Sequence, residues 1–377
     1  MGTGVYDTRV IRLRRGTVRS VEAPRPGFLE LAVEVEGRRE PAIAYPALTG
    51  PVREGDRVLL NTTAVAAGLG SGGYHFVIAV EGGTDRDPGP EGHVMKLRYT
   101  PLQAKVLAVE EQGSSEHEAV AEADSLQGLP VAWLPLHSML GAACAGARSA
   151  GAKRVVYVMT DGAALPVWLS RQVHALREAG LLDATITAGQ ALGGDREAVN
   201  VFSGLLAARA VEGADVAVVA DGPGKVGTAT RWGATEVSGG IALQAAAILE
   251  GRPVAAVRIN FADPSYRHHG LSPHSLTVLT RVAAPGAHVA IPALEEGERR
   301  DLVWGAIRGA KLEERHQVVE VTGRPALDLL AERGVEAETM GRKLEDEPEF
   351  FLAAGAAGVL AGRMAAGSAR WKAEVET

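Results

Sequence analysis

Four polar, glycine-bearing segments of this 377-residue chain each follow a run of apolar residues, and together they hold most of its candidate chemistry. Asp221-Gly222-Pro223-Gly224-Lys225-Val226-Gly227-Thr228 follows Val216–Ala220 and reads G-x-G-x-x-G. No acidic residue stands at a strand end about twenty residues on, and no Gly-Lys-Ser/Thr occurs, so neither a dinucleotide fingerprint nor a P-loop is present. The better reading is an anion cradle. Successive backbone N–H groups at Gly222, Gly224 and Gly227 form a nest for negative charge. Lys225, one of only seven lysines, and the Thr228 hydroxyl would add to it, with Glu236 in the segment that closes over the loop.

Thr160-Asp161-Gly162 follows Val155–Met159. Asp161 there either reaches a ligand or shapes an Asp-Gly turn. Gly189-Gln190-Ala191-Leu192-Gly193-Gly194-Asp195 follows Ala184–Thr187 and leads into Arg196–Asn200. Two glycines before a helix start suggest a second anion site, which Asp195 opposes if it caps that helix itself. Glu197 and Asn200, three apart, are expected to share a face of the helix's first turn. Asn260 to His274, after Ala255–Ile259, carries Asp263, Arg267, His268, His269 and His274. The histidines suit proton transfer or anion contact, and their spacing fits no familiar zinc pattern, so no metal site and no cofactor are assigned. His137, just past another apolar run, is expected to face the same cleft. A Gly-x-Ser-x-Gly elbow is absent, against an α/β-hydrolase. Cys144, the sole cysteine, lies among small residues and reads as a buried side chain; one cysteine permits no internal disulfide.

These loops need elements to position them. Through about residue 80 the chain shows short alternating runs, Val18–Val21, Phe28–Val35, Ala42–Tyr45, Arg57–Asn61 and Tyr74–Val80, separated by turn residues, as in a small barrel or sandwich. Gly82–Gly92 reads as a linker. Beyond it, apolar runs of four to six residues (Ala104–Val109, Val131–Leu134, Val155–Met159, Ala184–Thr187, Val216–Ala220, Ala255–Ile259, His288–Ile291, Val318–Val321) alternate with helical patterns, as doubly covered parallel strands do. Ser138, Asp195, Ser238 and Ser272 are expected N-caps. The expected fold is therefore α/β: a β-rich module over 1–92, then a Rossmann-like domain over 93–377 with an open, mostly parallel, doubly wound sheet and helices on both faces. A closed eight-stranded barrel is the alternative.

Composition narrows the function. An apolar fraction of 46% with 23% charged residues is ordinary for a globular protein, and the net charge of −7 argues against nucleic acid as partner. The local exception is Arg9, Arg12, Arg14, Arg15 and Arg19, read as a solvated strand. No run is long enough to span a bilayer, so a cytoplasmic protein without membrane contact is expected. The Ala/Gly-rich helix Phe350–Ala365 is expected to pack against another helix or a partner subunit, and a homo-oligomer is expected.

With those residues in view, the chain resembles an uncharacterised bacterial family of unknown function over nearly its whole length. The resemblance rests on Met95-Lys96-Leu97-Arg98-Tyr99-Thr100-Pro101-Leu102-Gln103, Met159–Pro166, Gly189–Asn200, Gly222-Pro223-Gly224 with Gly227-Thr228, and Phe261-Ala262-Asp263 with Arg267-His268 and Ser272-Pro273-His274. It implies one coherent site and an Arg-His-x-Gly motif that favours His268 over His269. The leading expectation is an enzyme acting on a small anionic molecule (phosphorylated, nucleotide or acyl). Gly222, Gly224, Lys225, Gly227, Thr228 and Arg267 would hold the anion; Asp161, Asp221 and Asp263 would supply carboxylates; His268 or His274 would move a proton. Thr160, Gln190, Asp195, Glu197, Asn200, Glu236 and His137 complete the expected pocket. The alternative is a non-catalytic ligand-binding or regulatory protein whose β module contacts a partner.

Overall fold

The computed structural model describes residues 10–70, 72–262 and 269–367. The chain divides into two compact units, Met1–Pro90 with Tyr99–Ala104, and Glu91–Arg98 with Lys105–Thr377.

The first unit is a closed five-stranded barrel, which decides between barrel and sandwich. Its strands are β1 (Leu13–Arg25), β2 (Phe28–Val35), β3 (Arg38–Ala44), β4 (Arg57–Asn61) and β5 (His75–Val80), in the order β1-β2-β3-β5-β4. Closure depends on β1, which pairs antiparallel with both β2 and β4 through the same residues, Gly16 opposing Val35 on one side and Val58 on the other. A bulge between Val18 and Ser20 lets this long strand bend. Val18, Leu31, Val33, Ala42, Val58, Leu60 and Val77 fill the interior. Arginines of β1, and Arg12 just before it, face glutamates: Arg12 and Arg14 pair with Glu36, Arg15 with Glu81, and Arg19 with Glu34. Charge on this face is thus neutralised by the protein itself, while Arg9 lies outside the described residues.

The second unit is built on an eight-stranded, all-parallel sheet: β6 (Pro130–Trp133), β7 (Val155–Thr160), β8 (Ala184–Ala188), β9 (Arg196–Ala198), β10 (Val216–Asp221), β11 (Arg252–Ala255), β12 (His288–Pro292) and β13 (Gln317–Val321). The order is β9-β8-β7-β10-β6-β11-β12-β13, so the sheet is open rather than a barrel. The helices between are α1 (Leu140–Ser149), α2 (Arg171–Glu178), α3 (Val201–Ala210), α4 (Gly240–Ile248), α5 (Glu298–Gly309), α6 (Arg324–Glu332) and α7 (Pro348–Ala365). They cover both faces. Gly204 of α3 lies against Val158, while Cys144 of α1 lies by Tyr157, the preceding residue, whose side chain points to the opposite face. Central strands therefore see no water: every residue of β10 is buried, which is why such strands read as unbroken apolar runs.

Four sequence expectations need correction. Ala104–Val109 is not a strand of this sheet; Ala104–Val106 pairs with Val94–Lys96, and Ala108 meets Glu197 only in an isolated bridge. The run Ala255–Ile259 is not one strand, because β11 ends at Ala255 and Ile259–Asn260 pairs separately with Gly270–Leu271. A short edge strand, β9, stands where Asp195–Asn200 suggested a helix start. Of the expected caps only Ser272 acts, accepting from His274 N and Ser275 N; α3 is capped by Asn200 in a box with Ser203, and α2 by Ser170. No helix among the described residues is long and apolar enough to cross a membrane.

Candidate functional site

Where consecutive connections leave neighbouring strands toward opposite faces, a parallel sheet opens a crevice at its carboxyl edge. Here β6 and β10 are neighbours, yet β6 continues into α1 on one face and β10 into α4 on the other. A cleft of about 840 Å³ occupies that position, lined from β6 by Leu136–Ser138, from β10 by Gly222–Gly227, and beyond β11 by Arg258. Glu236, His274 and the Gly334–Met340 segment complete the wall.

Lys225 is the charged centre of the cleft. Its side chain is only 7% exposed, and Nζ lies 2.9 Å from Oδ2 of Asp221, itself 3% exposed. The two charges are close but not aligned: neither atom has a hydrogen-bond partner among the described residues. Asp221 is held through its other oxygen, which accepts from Thr160 Oγ1 at 2.6 Å and Gly162 N at 3.0 Å. The loop can approach so closely because residue 222 is glycine; a Cβ there would strike the Ala164 carbonyl oxygen. Gly224 sits at φ +90°, in the left-handed region, and faces open space.

Opposite Lys225 lies Glu236, buried, whose Oε1 accepts from Ser275 Oγ at 2.7 Å. Burial pushes its pKa up, against the pull of Lys225, the Ser275 bond, Arg258 and His274. Arg258 donates its main-chain N–H to Ser275 Oγ at 3.2 Å, and its buried Nε has no hydrogen-bond partner among the described residues. His274 Nε2 lies 3.2 Å from the Thr230 carbonyl. His137 is held on both nitrogens, Nε2 by Ser170 Oγ at 2.7 Å and Nδ1 by the Asp221 carbonyl at 3.3 Å and Tyr157 Oη at 3.2 Å. Burial pulls its pKa down to about 4, so the ring is neutral, donating from Nδ1 to the carbonyl and accepting the Ser170 hydroxyl proton at Nε2.

The structure thus gathers His137, Asp221, Gly222, Gly224, Lys225, Gly227, Glu236 and His274 at one place, with Thr160 behind Asp221. Others go elsewhere. Thr228 does not face the anion cradle, since its hydroxyl donates to the Gly233 carbonyl at 2.9 Å in a local turn. Asp161 is turned away, its Oδ2 accepting from Gln190 N at 2.8 Å. The expected second anion site at 189–200 is filled by the protein's own groups: Gly193 N donates to Glu197 Oε1 at 2.7 Å, and Gly194 N to Thr187 Oγ1 at 3.1 Å. Asp195 Oδ2 accepts from Thr185 N at 2.8 Å and pairs with Arg177. Glu197 and Asn200 do not share a helical turn, because Glu197 is in β9 and Asn200 caps α3. Glu197 also meets the fully buried Lys96, Nζ to Oε2 3.3 Å. Asp263, Arg267 and His268 lie outside the described residues. Sequence reasoning passed over Arg258, Ser275 and Ser170. An arginine inside the apolar run Ala255–Ile259 was the available signal for the first; the two serines carried none.

A family model described as "Protein of unknown function (DUF3866)" matches residues 41–358. No curated protein matches the chain.

Proposed function

The chain belongs to the DUF3866 family, and within it we propose that this protein is an enzyme acting on a small anionic molecule bound in the Lys225 cleft. One observation carries the reading. Lys225 holds a buried ammonium whose carboxylate neighbour, Asp221 Oδ2 at 2.9 Å, is not aligned to accept from it, in a cleft where the buried Arg258 Nε likewise has no hydrogen-bond partner among the described residues. Buried donors are nearly always satisfied, so two of them in one cleft call for an external acceptor. Asp221 Oδ2 stands 2.9 Å from the ammonium on one side, while the Gly222–Gly227 turn brings the main chain up to the bound group. Phosphate or carboxylate oxygens meet both requirements.

Glu236 gives the site a chemical step. A carboxyl whose pKa is raised holds its proton nearer neutral pH than an exposed one does, which suits a general acid. His137 has no such role, because both its nitrogens are engaged by the protein.

A thermal-shift panel of nucleotides, sugar phosphates and acyl thioesters tests binding. A ligand at a hundred times its Kd should stabilise by about 2.7 kcal/mol. Any hit should vanish in Lys225→Gln and weaken in Arg258→Gln; a hit that survives in both removes the proposal. With a substrate in hand, Glu236→Gln should keep binding but lower turnover by roughly 10²–10⁴-fold. Binding with no turnover by the wild-type protein would move the reading to the non-catalytic binder.

A further inference from the structure

A second groove of about 670 Å³ lies beyond His274, which walls both it and the cleft. It is lined by Ala229–Arg231, by Pro273–Arg281 on the helical stretch after β11, and by Gly309–Arg315. Its charge is one-sided. Arg231, Arg281 and Arg315 have no carboxylate partner within ion-pair distance among the described residues, and only Lys311 is paired, with Glu314 at 3.0 Å. Elsewhere this chain neutralises many of its arginines, as on β1. Arg315 spends Nη2 on the Ala283 carbonyl at 3.2 Å, which fixes the guanidinium, and its buried Nε has no hydrogen-bond partner among the described residues. The helix wall carries a π-type turn over Val278–Val282, closed by Ala283 N–H to the Val278 carbonyl at 2.8 Å. Thr277, Thr280 and Arg281 all line the groove from this stretch. Such turns recur where a helix is shaped for a site.

We infer that this groove is a second anion subsite that takes a phosphoryl group, so that the ligand of the Lys225 cleft carries two anionic groups. The inference rests on the proposed function for its ligand but on different residues for its evidence. Guanidinium groups suit this task because each presents several donors to a tetrahedral oxyanion, and the Thr277 and Thr280 hydroxyls are engaged with main-chain carbonyls at 2.8 and 2.7 Å, leaving recognition to the arginines. His274 stands at the boundary, so a ligand spanning the two subsites passes over its ring.

Equilibrium dialysis of the full chain with radiolabelled inorganic phosphate separates the two sites. The wild type should bind two phosphates per chain. Arg231→Gln/Arg281→Gln alters two exposed side chains and should leave one, with affinity at the lost site down at least tenfold. Lys225→Gln should remove the other, and Val226→Asp, at an exposed position of the cleft wall, provides a second test should the buried substitution impair folding. A single site lost in Lys225→Gln or Val226→Asp, but kept in the arginine double variant, overturns the groove and leaves the cleft standing. A single site lost only in the double variant upholds the groove and overturns the cleft. No bound phosphate overturns the groove as well.

Discussion

At the scale of single residues, the same chemical types serve opposite ends depending on what surrounds them. Lys96 and Lys225 are both buried ammonium groups beside a carboxylate. Lys96 meets the carbonyls of Thr187, Ala191 and Ala198 at 3.3, 3.0 and 3.0 Å as well as Glu197, so its donors are spent. Burial lowers its pKa and raises that of Glu197, each opposed by the other's charge. The pair fixes the 189–200 loop and leaves nothing for a ligand, whereas Lys225 has only its misaligned aspartate. Lys96→Met should therefore strand Glu197 and three carbonyls. Chemical denaturation should show a loss on the order of 3–5 kcal/mol, the range for breaking one side of a buried pair. A change below about 1 kcal/mol would mean that water replaces the ammonium. Cys144 illustrates the inert case, with burial pushing the thiol up to about 12 and no exposure to a reagent.

At the scale of elements, small residues decide how closely helices approach. On α7, Gly358 faces the Ala143 carbonyl and Gly362 the Ala147 carbonyl of α1, and Gly146 of α1 faces Gly355 of α7. In each case a Cβ would overlap main-chain atoms. The Ala/Gly pattern read as a helix or subunit contact is thus used inside the chain, burying fourteen residues of α7, from Glu349 to Met364. Gly358→Val should force the two helices apart. The expected cost is about 1–3 kcal/mol or more, seen as a lowered thermal midpoint with β-sheet content unchanged. An unaltered midpoint would show that α7 can slide without loss. The turn at Gly222 follows the same logic, since main chain meets main chain there too, and it brings Lys225 over the carboxyl edge of β10.

At the scale of the whole molecule, titration of buried histidines links the site to stability. His137, His288 and His316 all have pKa values lowered by burial. For His137 the folded value is about 4 against 6.5 for the exposed group. The unfolded chain thus takes up the proton first, so stability rises with pH across that interval and is lost on acidification through it. The slope for one such group is at most about 1.4 kcal/mol per pH unit. Glu236 and Glu197, whose values are raised, act in the opposite sense. Comparing wild type with His137→Asn isolates the histidine: their stability difference should shrink as pH falls from 7 to 4.5. A pH-independent difference would mean that His137 takes up its proton as readily in the fold as in the unfolded chain.

Local sequence pattern determined the layers of this protein but not its site. Period-two alternation through about residue 80 specifies a half-buried sheet, and unbroken runs such as Val216–Ala220 specify strands covered on both sides, because burial of side chains is a property of each element. Gly222–Gly227, Lys225, Glu236 and His274 were legible as candidates, and they line one cleft: glycines and charges after a buried strand have few structural uses. What the tertiary structure alone decided is which loops meet. That follows from the order β7-β10-β6-β11, which places the β6 and β10 connections on opposite faces. It is set by packing between segments about ninety residues apart, which no local pattern records. The same packing turned Asp161 and Glu197 onto the 189–200 loop and Asp195 onto Thr185, brought Arg258 out of an apolar run to line the cleft with Lys225, and so divided equivalent carboxylates and cations into those met within the fold and those that line the cleft.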